Sequence, residues 1–441
     1  MTLFVPAVFY RGGTSRGLFL HARDLAPFRA EVRDRIICAA MGSPDPDGRQ
    51  IDGLGGGVSS LSKTALISRP GEPYTAQIAR GGSQYVFPGV PWADDPARAS
   101  DPESGWDIIY RFGQVPVREG TTIDWGSTCG NLLSAAALFA VHYCLPPEHF
   151  EQHAARAHVE GNSMRLPVRI LQACTGERVV VNVPLVRDEH VWRYSDICDT
   201  AIAGVPGRAP GMTIEAPINR STLPTGQPKD IVEVDGKHVA VSVVDAGLPV
   251  IFVDASTLGL STEEYTGPVQ TLDANAQMHA AAERVRQQVA LRFEPLARVL
   301  SPSAPKICII HPRTTYTTSS GESLGANDID MLVRAISVGN VHRSVPATTL
   351  AALAASMAYP DSVIGEALRS GGAHETPSAA STALAGPSTR AITVGHPAGA
   401  ASASVALKDG SPAALLYTRT ARRIMQGLVE IPPNIASTAA A

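Results

Sequence analysis

Residues 124–141, DWGSTCGNLLSAAALFAV, carry the reading of the fold. From Leu132 to Val141 the side chains are apolar almost all the way round (Leu132, Leu133, Ala135, Ala136, Ala137, Leu138, Phe139, Ala140, Val141). A helix without a polar face has to be enclosed by other elements. The spacing predicts a helix from about Cys129 to Tyr143, with Ser127 or Thr128 as its N-cap. Most of the remaining chain reads as short β-branched runs bounded by Gly, Pro or Asp: LFVPAVFY, AQIAR, DIIYRFGQVPV, VRILQAC, RVVVNVPLV, VAVSVVDAG, PVIFVDA, PKICIIHP and VEIP. A buried helix amid many strands predicts an α+β fold in which a mostly antiparallel β-roll wraps a central helix. An amphipathic helix is expected over 274–293, with further helices over 327–338 and 348–359. The segment 327–358 offers a second central helix for a second lobe, although no repeat can be aligned. Two stretches, 91–106 and 370–389, read as surface insertions.

Composition narrows the partners. The chain has 441 residues, 44% of them hydrophobic and 18% charged, with a net charge of −4. That length corresponds to about three domain equivalents, in practice two large lobes or three small ones. No basic footprint for nucleic acid or a membrane surface is present, so a small molecule is the expected partner. Six cysteines (38, 129, 144, 174, 198, 308) are scattered without a CxxC pair. This usage fits reduced thiols and a cytoplasmic setting. The N-terminal MTLFVPAVFYRGGTSRG reads as a strand entering a turn and not as a signal peptide. No run reaches the roughly 18 apolar residues of a membrane span. A homodimer is an assembly the sequence leaves open.

Three motifs carry chemistry. Cys129 stands where free amides and the helix dipole favour negative charge, including those of Gly130 and Asn131. Reactive thiol and packed structural cysteine are both open readings on spacing alone. In GLGGGVSSLSKTALIS (53–68), Lys63 follows four glycines and the hydroxyls of Ser59, Ser60 and Ser62. The spacing fits neither a P-loop nor a dinucleotide fingerprint. A desolvated lysine there can serve as a base, whereas an exposed one is ordinary surface. In YRGGTSRG (10–17), Arg11 and Arg16 flank Gly13, Thr14 and Ser15, a set suited to a carboxylate and equally to a tight turn. RTTYTTSSGES (313–323), ahead of the expected third helix, offers Ser319 and Ser320 in the same sense. His149, His153 and His158 lack the zincin spacing, because Phe150 stands where Glu is required. They read as a solvated helix face, and no metal is expected.

YRGGTSRG, SSLSK, CGN, LPTG (223–226), VDAG (244–247) and TTSSG (317–321) occur in that order. The chain thereby resembles the family of 2-methylaconitate cis-trans isomerases, aconitate Δ-isomerases and oxalomesaconate tautomerases, of diaminopimelate-epimerase-like fold. The resemblance implies two similar lobes, 1–205 with a returning strand at about 420–436, and 206–419, followed by a frayed tail at 437–441. It implies cofactor-free proton transfer on an unsaturated di- or tricarboxylic acid. Its catalytic lysine falls on Lys63 and its catalytic cysteine on Cys129. Its substrate contacts fall on Gly13, Thr14, Ser15, Gly130 and Asn131, with hydroxyls near Ser60 and Ser319. Arg11, Ser62, Thr128 and Ser320 complete the expected substrate-binding set. Many relatives have Lys at Arg16, Asn at Thr128 and Asn at Leu248, and 337–349 departs from the usual Gly-Lys-Pro-His run. Thr128 is therefore the first residue to inspect for substrate choice. The expected reaction is a 1,3-allylic proton shift, with aconitate favoured over 2-methylaconitate and oxalomesaconate. A thiol hydrolase or transferase and a non-catalytic carboxylate binder are the readings from other classes.

Overall fold

The computed structural model describes residues 3–72, 95–155, 159–218, 221–297, 300–385 and 387–435. The expected strand AQIAR, His158, residues 91–94 and the tail at 437–441 lie outside the described residues. Two compact units divide the chain, Met1–Glu215 with Thr418–Ala441 and Ala216–Tyr417.

In the first unit, β1 (Leu3–Gly12) and β2 (Ser15–His21) form an antiparallel hairpin. β3 (Lys63–Ser68) runs parallel to β2 and antiparallel to β4 (Ile108–Gln114). β5 (Ser163–Gln172) lies parallel to β4 and antiparallel to β6 (Arg178–Asp188). The strand Ala421–Ile431 returns antiparallel to β1. Between β4 and β5 the chain forms helix α1 (Leu133–Tyr143), buried from Leu133 to Val141. Strand alternation sorts the side chains. Val5, Ala7, Phe9, Leu18, Leu20, Leu66 and Ile109 share a core with Ile36, Ile37 and Met41 of the helix Ala30–Met41. Tyr10 and Phe19 turn to the other face and meet Phe139 of α1 at 6.3 and 6.0 Å. Gly12 and Gly17 face α1 as well: a Cβ at Gly12 would lie 2.6 Å from the Asn131 carbonyl, and one at Gly17 would lie 3.2 Å from Leu132. Small residues on both partners let strand and helix approach closely, and this explains an alanine-rich α1.

The second unit repeats the succession. β7 (Lys237–Asp245) and β8 (Pro249–Asp254) form a hairpin, and β9 (Lys306–Pro312) runs parallel to β8. β10 (Met331–Ser337) is antiparallel to β9, β11 (Thr389–His396) parallel to β10, and β12 (Gly399–Lys408) antiparallel to β11. Helix α2 (Ala347–Ser356), buried at every position, occupies the place of α1 between β10 and β11. The helix Ala276–Arg292 covers one sheet face, packing Met278, Val285 and Val289 against Ile307 and Ile309.

Four expectations are corrected. α1 begins at Leu133, not at Cys129, after a turn in which the Cys129 carbonyl accepts from the Leu132 amide at 3.1 Å. Neither Ser127 nor Thr128 caps it, since Leu132 is the N-cap and the Thr128 hydroxyl has Gln172 as its acceptor. The helix expected over 327–338 is β10. Its apolar run is buried on both faces, and periodicity alone cannot separate such a strand from a buried helix. The second central helix is correspondingly shorter than expected and confined to Ala347–Ser356. The stretch 370–389 is largely exposed, as expected of a surface insertion, and it also forms a short helix, Ala379–Leu384, in which the buried N-cap Ser378 and the buried Ser381 bind Asp330.

Candidate functional site

Register brings the first unit's candidates to one face. Gly17 pairs with Lys63 and Lys63 with Gln114, while Tyr110 pairs with Gln172. Paired residues in a sheet project to the same side. Ser15, Gly17, Lys63, Tyr110, Phe112, Gln114 and Gln172 therefore line the face that also meets α1. The loop before α1 lays Cys129 on this surface. The Tyr110 hydroxyl donates to the Cys129 carbonyl at 3.3 Å, and the thiol reaches the Ser15 hydroxyl at 3.9 Å.

Lys63 is 7% exposed, and its Nζ donates to Gln114 Oε1 at 2.7 Å while lying 5.0 Å from the centre of the Phe112 ring. Burial pushes its pKa below that of an ordinary ammonium, with Cys129 and then Asp124 acting in the opposite direction. Lys63 and Cys129 are thus within electrostatic reach of each other. Around them the hairpin tip is clamped. Asn131 Nδ2 donates to Thr14 Oγ1 at 3.1 Å, and Asn131 Oδ1 accepts from Arg419 Nε at 2.8 Å. The Gly13 amide donates to the Thr420 carbonyl at 2.8 Å, with Gly13 at φ +51°. Among the described residues the Gly130 and Asn131 amides have no backbone acceptor, which leaves both N–H groups available to an anion.

Several expected contacts are engaged elsewhere. Arg11 Nη1 donates to the carbonyls of Gly13 and Thr420 and to the Thr420 hydroxyl, so that part of the guanidinium braces the turn. Arg16 lies over Phe9 at 5.7 Å, on the opposite face from Ser15. The Ser62 hydroxyl donates to Gln50 Oε1 and the Val58 carbonyl, and it is fully buried beneath the loop. Thr128 Oγ1 donates to Gln172 Oε1 at 2.6 Å and therefore holds the cysteine loop to β5. Ser60 lies half-buried in the 3-10 turn Ser59–Leu61. Ser319 and Ser320 belong to the second unit, both exposed, in the turn between the short strands Tyr316–Thr317 and Ser323–Leu324, where Ser320 shares a hydrogen bond with Thr318. Beyond that hairpin the chain enters a 3-10 turn, Ala326–Asp328, and then β10, not a helix. The residues missed from the sequence are Gln50, Gln114 and Gln172. The available signal for Gln114 was a lone glutamine closing a mostly apolar run, IIYRFGQ.

Similarity to known proteins runs the whole length of the chain. Residues 2–86 and 97–432 match the family described as PrpF protein. The 2-methyl-aconitate isomerase of Shewanella oneidensis is 30% identical, covering 97% of this chain and 97% of its own. The 4-oxalomesaconate tautomerase of Pseudomonas putida is also 30% identical, covering 96% and 95%. Among solved structures, methylitaconate-delta-isomerase superposes with a TM-score of 0.62 at 25% identity, covering 98% of this chain and 97% of that one. The α+β architecture of two topologically matched units, each a β-roll around a central helix, is of the diaminopimelate-epimerase-like kind expected from the sequence. On these matches the chain belongs to the PrpF family, and it is an isomerase.

Proposed function

We propose that this isomerase catalyses a cofactor-independent 1,3-allylic proton shift on 2-methylaconitate, with Lys63 and Cys129 as the acid–base pair. The observation that carries the reading is a buried lysine, held by Gln114 and lowered in pKa by desolvation, on the same sheet face as the loop that carries Cys129. The full-length match to a 2-methyl-aconitate isomerase favours that acid over the aconitate expected from the sequence. Lys63 as the free amine removes a proton from the carbon flanking the conjugated double bond. The electron pair spreads into the double bond and its carboxylate, and the Gly130 and Asn131 amides face the developing oxyanion. The Cys129 thiol then delivers a proton to the far end of the three-carbon unit. The substrate loses one proton to Lys63 and gains one from Cys129, and the resulting ammonium and thiolate are reset when Lys63 releases a proton to solvent and Cys129 takes one up. General acid–base work of this kind contributes about 10²–10⁴-fold.

The test is proton NMR in D₂O with 2-methylaconitate, oxalomesaconate, cis-aconitate and trans-aconitate offered separately. Deuterium should enter 2-methylaconitate fastest and be lost in Lys63→Ala and Cys129→Ser. Labelling of none of the four acids sinks the reaction. Labelling that survives Lys63→Ala sinks the assignment of the base.

A further inference from the structure

We infer that Gln114 is the positioning residue for Lys63, presenting it with an acceptor that fixes the amine's direction without adding charge. The inference rests on the reading of Lys63 as the base. Gln114 closes β4 directly opposite Lys63 in the β3–β4 register, and it is buried. Its Oε1 accepts from Lys63 Nζ at 2.7 Å, while its Nε2 donates to the carbonyls of Ser62 at 2.8 Å and Ser59 at 3.1 Å. Only one amide orientation satisfies this set. The flipped amide would turn N–H toward an N–H donor and its oxygen toward two carbonyl oxygens.

The carbonyls that hold Gln114 are themselves held by a chain of neutral groups. Ser62 Oγ donates to Gln50 Oε1 at 2.5 Å, which also accepts from the Gly57 amide at 2.9 Å. Gln50 Nε2 donates to Ser43 Oγ at 2.7 Å, and Ser43 donates onward to the Pro116 carbonyl at 2.6 Å. From Pro116 to Lys63 no member carries a charge. The charges acting on Lys63 are Cys129, whose thiol belongs to the reaction, and Asp124, which accepts from the Gly126 amide. A carboxylate in the place of the Gln114 amide would favour the ammonium and raise its pKa by about 1–3 pH units, leaving less free amine at any given pH. An apolar side chain would leave a lone pair with no fixed direction. The glutamine meets both requirements, which explains an amide closing a fully buried strand.

The test uses the full-length protein with ¹³C-labelled lysine. The sequence contains just Lys63, Lys229, Lys237, Lys306 and Lys408, and Lys63→Arg identifies the Lys63 signal by its disappearance. In Gln114→Glu the Lys63 titration and the acid limb of the kcat profile should both move up by about 1–3 pH units. In Gln114→Met the titration should move down, because the ammonium loses its acceptor. There kcat should fall by about 10²-fold with KM changed by less than about threefold. A glutamine that served folding alone would lower the melting temperature in both variants and leave the Lys63 titration in place, and that result overturns the inference. Opposite shifts in a protein that exchanges no substrate proton would uphold the pairing and count against the proposed reaction instead.

Discussion

Gly13→Ala isolates what the hairpin tip does for the cysteine loop. A Cβ at Gly13 would lie 2.6 Å from Asn131 Oδ1 and 3.0 Å from Arg419 Cδ, with the backbone at φ +51°. Neither neighbour can yield cheaply. Asn131 Oδ1 accepts from Arg419 Nε at 2.8 Å, Asn131 Nδ2 reaches Thr14 at 3.1 Å, and both Asn131 and Arg419 are buried. The left-handed backbone costs an alanine about 1–2 kcal/mol. Displacing packed, hydrogen-bonded atoms adds about 1–3 kcal/mol. The expected loss is about 2–5 kcal/mol, seen as a melting point lower by about 4–20 °C. Gly120→Ala supplies the control, because Gly120 has φ +83° with nothing within 4 Å of its Cβ, and it should lose only about 1–2 kcal/mol. Activity should separate the two further. Asn131 stands two residues beyond Cys129 in the chain, so Gly13→Ala should lower kcat more than it raises KM, whereas Gly120→Ala should leave both unchanged. Equal melting points for the two variants, or an undiminished kcat in Gly13→Ala, would refute the clamp.

The core supplies two more expected outcomes. Asp34, raised to about 6 by burial against the opposing pull of the Ile123 amide, the Trp125 indole and Arg111, binds protons more tightly folded than unfolded. Its contribution is therefore full below about pH 4 and lost as pH rises through about 6, a change of about 3 kcal/mol. Urea denaturation at pH 4 and pH 7 should show that component vanish in Asp34→Asn, and an identical pH slope in the variant would exclude it. Phe139→Ala removes a fully buried ring that lies 4.8 Å from His21, 4.9 Å from Tyr143 and 6.0 Å from Phe19, and it should cost about 3–5 kcal/mol by the same measurement. A loss below about 1 kcal/mol would mean that α1 is not the centre of the unit.

The enclosed helix was legible because a helix apolar on every side has one physical resolution, and Leu133–Val141 is buried throughout. The strands were legible for the same kind of reason, since short β-branched runs between turn residues offer few alternatives. The exact start of α1 was not. It depends on whether Thr128 caps the helix or bonds Gln172, a residue more than forty positions away. β10 was misread because MLVRAIS has no exposed face to reveal a period. Lys63 and Cys129 stood out as chemically able residues, yet their shared face comes from register between β2, β3 and β4, which one sequence does not print. Arg11 shows the converse: its chemistry suited a carboxylate, while the fold gives its Nη1 to the turn it was expected to serve.

The matched topology of the units separates what a scaffold supplies from what a sequence adds. Each unit opens its third strand with a buried lysine, Lys63 beside Gly17 and Lys306 beside Val250, both on strands parallel to the second strand of the hairpin. Position and burial are therefore common to both lysines and cannot by themselves make a base. The surroundings differ. Lys63 meets a side-chain amide at 2.7 Å whose orientation is fixed from behind, a ring face, and a cysteine delivered by the loop ahead of α1. Lys306 meets the Ser303 carbonyl at 3.4 Å, and the loop ahead of α2 reads VGNVHRSVP, with no cysteine to exchange a proton. A cysteine introduced into that loop would face a lysine held by a backbone carbonyl. By this reasoning Ser344→Cys should give the Cys129→Ser background no isomerase activity, and recovery of substrate labelling in D₂O by the double variant would show that the fold supplies more of the chemistry than the wiring around Lys63 does.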